Sequence, residues 1–114
     1  MADYKGIKGF KVQSLSTDTA ASQMAGGAWS SGGNINTARA QTTGAPDGTS
    51  TAGLLFGGKP TYLAVTESYD GTTWTEVNDL NQGRYEIGGG GTQAAALAFG
   101  GWGPGSAQDE TETW

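Results

Sequence analysis

The stretch LAVTESYDGTTWTEV, residues 63–77, predicts a β-hairpin and sets the fold class of the chain. Apolar and polar residues alternate in its first half, as they do in a half-buried strand. Asp70 and Gly71 form a dipeptide typical of tight turns, and TTWTEV then returns as the partner strand. No segment has a convincing helical period, and the 21 glycines oppose helix formation. We therefore predict an all-β fold.

The chain contains two copies of one unit, which together span residues 29–114. A period of about 45 residues, with short β-type runs and glycine-rich turns, is typical of the four-stranded blades of a β-propeller. We predict two blade equivalents, with repeats at 29–73 and 74–114, and a separate segment at 1–28. The repeated positions are Trp29 and Trp74, Arg39 and Arg84, Glu67 and Glu112, and the glycine pairs Gly57, Gly58 and Gly100, Gly101.

Each unit holds four predicted strands, named a to d. Strand a follows a turn, strand b is an apolar run that ends in Gly-Gly, strand c alternates, and strand d carries the Trp. Because a Trp segment precedes the first strand a, the predicted order along the chain is d-abc-d-abc. The predicted stretches are 38–45 and 83–91 for a, 52–58 and 95–101 for b, 63–70 and 111–114 for c, and 28–35 and 72–77 for d.

An apolar strand ending in Gly-Gly, a Glu-x-Tyr strand and a Trp just after a turn together resemble the kelch repeat. The resemblance covers residues 29–114, although Trp114 stands in the second copy where the first has Tyr69. The segment YKGIKGFKVQSLSTD, followed by NTAR and DGTTWTEVNDLN, also resembles kelch-like structural proteins of marine bacteriophages. These resemblances imply a non-enzymatic tail or fibre protein of a virion, serving assembly and recognition of a host surface or glycan.

Three other interpretations remain open. SYDGTTW, residues 68–74, is similar to the Asp-box hairpin of sialidase-type propellers but is one residue shorter, and that motif is structural. A fragment of a propeller lectin or glycosidase would need carboxylates or aromatic residues gathered at one pole. A generic kelch scaffold for protein interaction is the third.

Composition restricts the chemistry. The chain has no His and no Cys, so it lacks the commonest general base and metal ligand, thiolate sites and disulfides. We expect no enzyme activity and no cofactor. Glycines 88–91 lack the Lys-Ser/Thr of a phosphate loop, so we interpret them as a site of close strand packing or a bulge. Asp79, Asp109 and Glu110 lack the spacing of a calcium loop, so no metal site is predicted.

Charge and hydropathy limit the partners. The net charge is −5: residues 1–28 carry three lysines against two aspartates, and residues 29–114 carry three basic against nine acidic residues. An acidic body opposes binding to nucleic acid. No apolar run approaches the length of a membrane span or forms a signal-peptide core. We expect a protein made in the host cytoplasm and placed in a virion or outside the cell.

The paired Arg and Glu positions admit two interpretations. Arg39, Arg84, Glu67 and Glu112 would either line a channel that binds a sugar or carboxylate, or pair with one another on neighbouring strands. Their recurrence in both copies favours the structural role, because a binding site rarely needs every blade alike.

Two loop aromatics are the predicted ligand contacts. Tyr62 lies in KPTYLA after Gly58, and Trp102 lies in WGPGSAQ after Gly101. Neither position is needed for a core, and exposed aromatics on loops serve sugar stacking or protein contact. Packing against a neighbouring blade is the alternative.

The last expectation concerns self-association. TETW, residues 111–114, aligns with TESY, residues 66–69, so the sequence reaches only strand c of its second unit. We expect the Trp29 strand of one chain to complete the last blade of a neighbour, with three chains building six blades. Residues 1–28 are expected to dock on other virion proteins. A longer chain with more blades is the alternative.

Overall fold

The computed structural model describes residues 27–114. The chain divides into two compact units, Met1–Ser31 and Gly32–Trp114. The predicted docking arm, residues 1–28, falls almost entirely outside the described residues, and the unit boundary lies three residues beyond the predicted one. Residues 27–114 contain no helix, and thus none long and apolar enough to cross a membrane.

The first sheet consists of four antiparallel strands in the order in which they follow one another along the chain. Each lies within one of the predicted stretches a, b, c and d, and the prediction of an all-β fold is confirmed. The strands are β1 (Thr43–Gly44), β2 (Gly53–Phe56), β3 (Thr66–Tyr69) and β4 (Trp74–Val77).

The second sheet has three antiparallel strands, which fall within the second predicted stretches a, b and c. A separate two-stranded hairpin is inserted between the last two of them. The sheet strands are β5 (Gly88–Gly91), β6 (Ala96–Phe99) and β9 (Thr111–Thr113), and the hairpin strands are β7 (Trp102–Gly103) and β8 (Ser106–Ala107).

The hairpin between β3 and β4 forms where the sequence predicts it. Tyr69 and Trp74 are paired across the two strands, and their rings stack with centroids 4.8 Å apart. Asp70 Oδ1 accepts the backbone N–H groups of Thr72 and Thr73, both at 2.8 Å. Gly71 has a φ of 98°, which glycine adopts without the steric cost of a side chain. The turn is thus closed by one carboxylate and one glycine.

A small apolar core lies between the two sheets. Leu54 and Phe56 project from one face of β2, while Ala96 and Ala98 project from β6, and all four are buried in one cluster. Successive residues of a strand point to opposite faces, so Leu97 and Phe99 lie on the other face of β6. They are 37% and 43% exposed. Large side chains of the first sheet therefore meet small ones of the second.

Backbone hydrogen bonds join the sheets along the segment that connects them, residues 78–87. Its carbonyl and N–H groups bond with the end of strand β2 and with the loop that precedes β3. The bonds are Gly58 N–H to Arg84 O at 2.9 Å, Arg84 N–H to Leu63 O at 3.1 Å, and Leu80 N–H to Ala64 O at 2.9 Å.

The glycine run forms strand β5 and brings it close to the first sheet. A Cβ added at Gly89 would lie 2.6 Å from Gly44 O and 2.7 Å from Thr43 Cγ2. Only glycine permits this approach, because these distances are shorter than any ordinary Cβ contact.

One feature of the predicted order d-abc-d-abc needs correction within the described residues. The first strand d does not form: residues 27–39 contain no strand, and Trp29 is fully exposed. A strand needs a hydrogen-bonded neighbour, and Trp29 has none among the described residues. The second Trp strand, β4, pairs with β3 in the first sheet, as the predicted hairpin requires.

Candidate functional site

Two pairs of loops meet at one edge of the sheets. Because β1 and β2 are antiparallel, the chain entering β1 and the chain leaving β2 lie at the same edge, and β5 and β6 repeat this arrangement. Isolated bridges join these segments, Ala40 with Lys59 in the first copy and Tyr85 with Trp102 in the second. This edge therefore carries both loops whose aromatics the sequence singles out.

Tyr62, Tyr85, Trp102 and Lys59 form an aromatic patch at this edge. The rings of Tyr62 and Tyr85 stack, with centroids 5.7 Å apart and an interplanar angle of 20°. Lys59 Nζ lies 4.3 Å from the centroid of the Tyr85 ring, within the range of a cation–π contact. Tyr62 and Trp102 remain 39% and 44% exposed. The patch thus combines stacked aromatic faces with one positive charge.

Backbone hydrogen bonds with Tyr85 fix the position of Trp102. Its N–H donates to Tyr85 O at 2.9 Å, and Tyr85 N–H donates to Trp102 O at 3.1 Å. The β7–β8 hairpin turns at Gly105, whose φ is 87°. A short, tight hairpin consequently positions Trp102, which remains 44% exposed.

Two side-chain amides lie on the face of the β7–β8 hairpin opposite the Trp102 indole, because successive residues of a strand point to opposite faces. Gln82 Nε2 donates to Gln108 Oε1, and Gln108 Nε2 donates to Ser106 O at 3.0 Å. A Cβ on Gly103 would lie 2.7 Å from Gln108 Cδ, so the amide packs directly on the Trp102–Gly103 strand.

Sequence reasoning found Tyr62 and Trp102 but missed Tyr85 and Lys59. Tyr85 lies in the predicted strand a, where a Tyr is ordinary, and Lys59 follows a Gly-Gly pair with nothing to mark it. The repeat offers the one sequence signal for Tyr85. The equivalent position in the first copy is Ala40, so the Tyr is specific to the second copy.

The repeated Arg and Glu residues form ion pairs in the interior. Arg84 is fully buried, and its Nη2 lies 3.0 Å from Glu112 Oε2. Arg84 Nη1 donates to two carbonyls, Gly100 O and Glu110 O, both at 3.0 Å. With its charge neutralised and two carbonyls satisfied, this guanidinium acts as a structural crosslink of the second sheet.

The first copy has the equivalent pair with a different geometry. Arg39 Nη1 lies 3.1 Å from Glu67 Oε2, and both side chains are wholly buried. The orientation does not make this contact a hydrogen bond, so its attraction is purely electrostatic. Glu67 also accepts the N–H of Asn36 at 2.7 Å and that of Thr37 at 3.2 Å. Neither Arg faces a channel in the described chain.

A cleft of about 260 Å³ opens between the sheets, lined in part by Leu54, Phe56, Leu80 and Trp114. Its volume lies below the ~300–1,000 Å³ of typical small-molecule sites. We therefore place the candidate site on the aromatic patch and not in this cleft.

The acidic residues offer little for catalysis or metal binding. Backbone N–H groups of Thr73 and Thr72 lower the pKa of the exposed Asp70 below its usual value. This carboxylate is occupied in its turn and is poorly suited to accept a proton near neutral pH. Among residues 27–114, no three acidic side chains converge in a group that would hold a metal ion.

Comparison with known proteins gives no relative. The sequence matches no protein-family model, and neither the search of curated proteins nor that of solved structures finds a match. The kelch and phage resemblances therefore remain predictions from the residues quoted above.

Proposed function

We propose that this chain is a non-enzymatic β-propeller module that recognises a surface glycan through the aromatic patch. The observation that carries the proposal is the stacked pair Tyr62–Tyr85 with the partly exposed Trp102 bridged to Tyr85 beside it. Aromatic faces bind the apolar C–H face of a sugar ring. Lys59 favours a glycan that carries a carboxylate or another acidic group.

The propeller part of the proposal rests on the repeat of strands a, b and c in both sheets. The two sheets pack face to face and keep the same buried Arg–Glu position, as successive blades would. The resemblance to kelch-like phage proteins places the module in a virion, with residues 1–28 docking on other virion proteins. Three chains would supply the sheets of a six-bladed ring.

The free edge of strand β9 suits the closing strand. Trp114 is the equivalent of Tyr69, whose ring stacks on Trp74 of strand d. Asn36 Nδ2 donates to Trp74 O at 2.8 Å, and its equivalent Asn81 has no such acceptor among the described residues. A strand carrying the Trp29 of another copy would supply both a ring for Trp114 and a carbonyl for Asn81.

The glycan part is tested with the intact chain. A glycan array selects the sugar, and its monovalent form is then titrated by NMR against wild type, Trp102→Ala, Tyr62→Ala and Thr75→Ala. We expect a loss of about three- to tenfold in affinity for each patch variant. Thr75→Ala is the control, since Thr75 is exposed on β4, outside the patch, and its loss should leave affinity unchanged.

Two results would contradict the proposal. Absence of binding to any glycan, or binding that survives loss of both aromatics, would remove the recognition role. Hydrolysis of the selected glycan by the purified chain would contradict the non-enzymatic part.

A further inference from the structure

The residues that form the contact between the two sheets have repeat equivalents on the outer faces of the sheets, and these equivalents make no such contact. Leu97 and Phe99 are the repeat equivalents of Leu54 and Phe56, the large side chains that fill the intersheet core. Yet Leu97 and Phe99 face solvent, at 37% and 43% exposed. We call the exposed side of the second sheet, marked by these two residues, the leading face.

The opposite side of the first sheet carries the matching counterparts. Gly53 and Leu55 are equivalent to the buried Ala96 and Ala98, and Ile35 is equivalent to Leu80, which packs against the core. All three are only half-buried. We call this side, marked by Ile35 and Leu55, the trailing face. One chain thus presents both halves of a contact that it already makes once internally.

Unpaired backbone groups follow the same pattern. The three intersheet bonds use the N–H groups of Gly58, Arg84 and Leu80. Their equivalents are Gly101, Arg39 and Ile35, and within residues 27–114 no hydrogen bond is made by any of these three N–H groups. The matching acceptors, the carbonyls of Arg39, Gln108 and Asp109, are likewise unpaired in that range.

Donors and acceptors are divided between the two faces in a way that one chain cannot satisfy alone. Gly101 N–H and the carbonyls of Gln108 and Asp109 belong to the leading face. Arg39, with both its backbone groups, and Ile35 N–H belong to the trailing face. Placing a leading face on a trailing face of another chain would form all three bonds in the pattern seen inside the chain.

The polar side chains at the sheet edge obey the same complementarity. Gln41 Nε2 donates to Glu86 Oε2 across the internal contact, and Glu86 N–H donates to Gln41 O at 3.2 Å. Gln41 and Glu86 are repeat equivalents with nearly the same positive φ, 54° and 55°. Between two chains, Glu86 of the leading face would meet Gln41 of the trailing face, again an acceptor opposite a donor.

We propose that the leading face is a docking surface for a second copy of this chain, which binds through its trailing face in a head-to-tail contact. The partner is another copy because the surface repeats an interface that the same sequence already forms. The contact is heterologous, so successive copies add in one direction and close into a ring when the rotation permits. The inference rests on the blade arrangement proposed above but not on glycan recognition.

The test uses two variants of the intact chain with one face disabled in each. Leu97→Asp/Phe99→Asp spoils the leading face, and Ile35→Asp spoils the trailing face. Sedimentation velocity over a range of concentrations should show wild type associating, each variant alone staying monomeric, and their equimolar mixture forming a 1:1 complex. Thr75→Asp, an exposed change on β4, is the control and should associate like wild type.

Each alternative outcome overturns the proposal. Association of Ile35→Asp alone would indicate that two leading faces pair with each other. A mixture that stays monomeric, or a wild type that stays monomeric at millimolar concentration, would exclude the head-to-tail contact. Thermal unfolding verifies that each variant is folded, and Leu55→Asp replaces Ile35→Asp if that variant is not.

Amide hydrogen exchange provides a readout at the proposed bonds. The N–H groups of Arg39, Ile35 and Gly101 should become protected as concentration rises, whereas those of Arg84, Leu80 and Gly58 are protected throughout. If the exchange rates of the Arg39, Ile35 and Gly101 N–H groups do not change with concentration, the head-to-tail contact is contradicted. Glycan titration of the monomeric variants separates the two proposals, since sugar binding without association leaves recognition standing and overturns only the docking surface.

Discussion

Glu112 uses its two carboxylate oxygens for two different tasks in the second sheet. Oε2 lies 3.0 Å from Nη2 of the fully buried Arg84, while Oε1 accepts the N–H of Asn81 at 2.8 Å. The residue thus neutralises a buried charge and also anchors the segment that runs between the sheets.

Glu112→Gln should therefore destabilise the fold strongly. The amide keeps the size of the side chain but removes the nearest counter-charge of the buried Arg84 guanidinium, which costs about 3–5 kcal/mol. Glu110→Gln is the matched control, because Glu110 is half exposed and lies 3.9 Å from the same guanidinium. We expect it to change the free energy of unfolding by at most about 1 kcal/mol. Urea denaturation measures both, and equal effects would contradict the assigned role of Glu112.

Gly57→Ala should damage the junction between the sheets. Gly57 has a φ of 71°, and a Cβ there would lie 2.4 Å from Ile87 Cδ1 and 2.6 Å from Arg84 O. Backbone strain of about 1–2 kcal/mol adds to an overpacking cost of about 1–3 kcal/mol. Gly105→Ala has the same strain without the clash, since its φ is 87° and no atom lies within 4 Å. If Gly57→Ala lowers stability no more than Gly105→Ala does, the predicted clash at Gly57 is wrong.

Gln93→Glu should weaken the intersheet contact. Gln93 Nε2 donates to Gly53 O at 3.0 Å and to Tyr69 O at 2.7 Å, both in the first sheet. A carboxylate would lose both hydrogen bonds and face two carbonyl oxygens, at a cost of about 2 kcal/mol. Gln93→Met loses the bonds without adding charge and should cost less. Thermal unfolding at neutral and acidic pH measures the stability of both variants. The loss of stability caused by Gln93→Glu should become smaller in acid, as the introduced carboxyl group becomes protonated.

Asp70 gives the hairpin a pH dependence with a defined sign. Hydrogen bonds from the N–H groups of Thr73 and Thr72 hold its pKa below the usual value. A lowered pKa in the folded state means that its stabilising effect is present above the unfolded pKa of about 3.9 and is lost as pH falls through the folded pKa. Asp70→Asn should be less stable than wild type near neutral pH, and the difference should close in acid. A stability difference between Asp70→Asn and wild type that stays constant from neutral to acidic pH would contradict this role of Asp70.

Much of the fold is predictable from short-range patterns. The β3–β4 hairpin follows from alternation and from Asp70–Gly71, both of which are local preferences of the backbone. Strands β2 and β6 follow from apolar runs that end in glycine pairs, and the repeat spacing aligns one sheet with the other. The same spacing marks the repeated Arg and Glu positions. It does not predict that the two ion pairs differ in geometry.

The candidate site is only partly predictable. Tyr62 and Trp102 are recognisable because aromatic residues in loops have no core to fill, but Tyr85 and Lys59 join them only through packing. The failure at Trp29 has a physical cause as well. The segment is predicted as a strand because it aligns with the Trp74 strand, yet a strand is stable only where a neighbour offers hydrogen bonds.

The sequence by itself determines the all-β class, the positions of seven of the nine strands and the pairing of repeated residues, because alternation, turn dipeptides and spacing act over short distances. The tertiary structure alone decides which face of each strand is buried. Leu54 and Leu97 occupy equivalent positions with similar neighbours in sequence, but one is buried and the other is exposed. That difference depends on whether a second sheet lies opposite, a long-range relationship that no local pattern encodes.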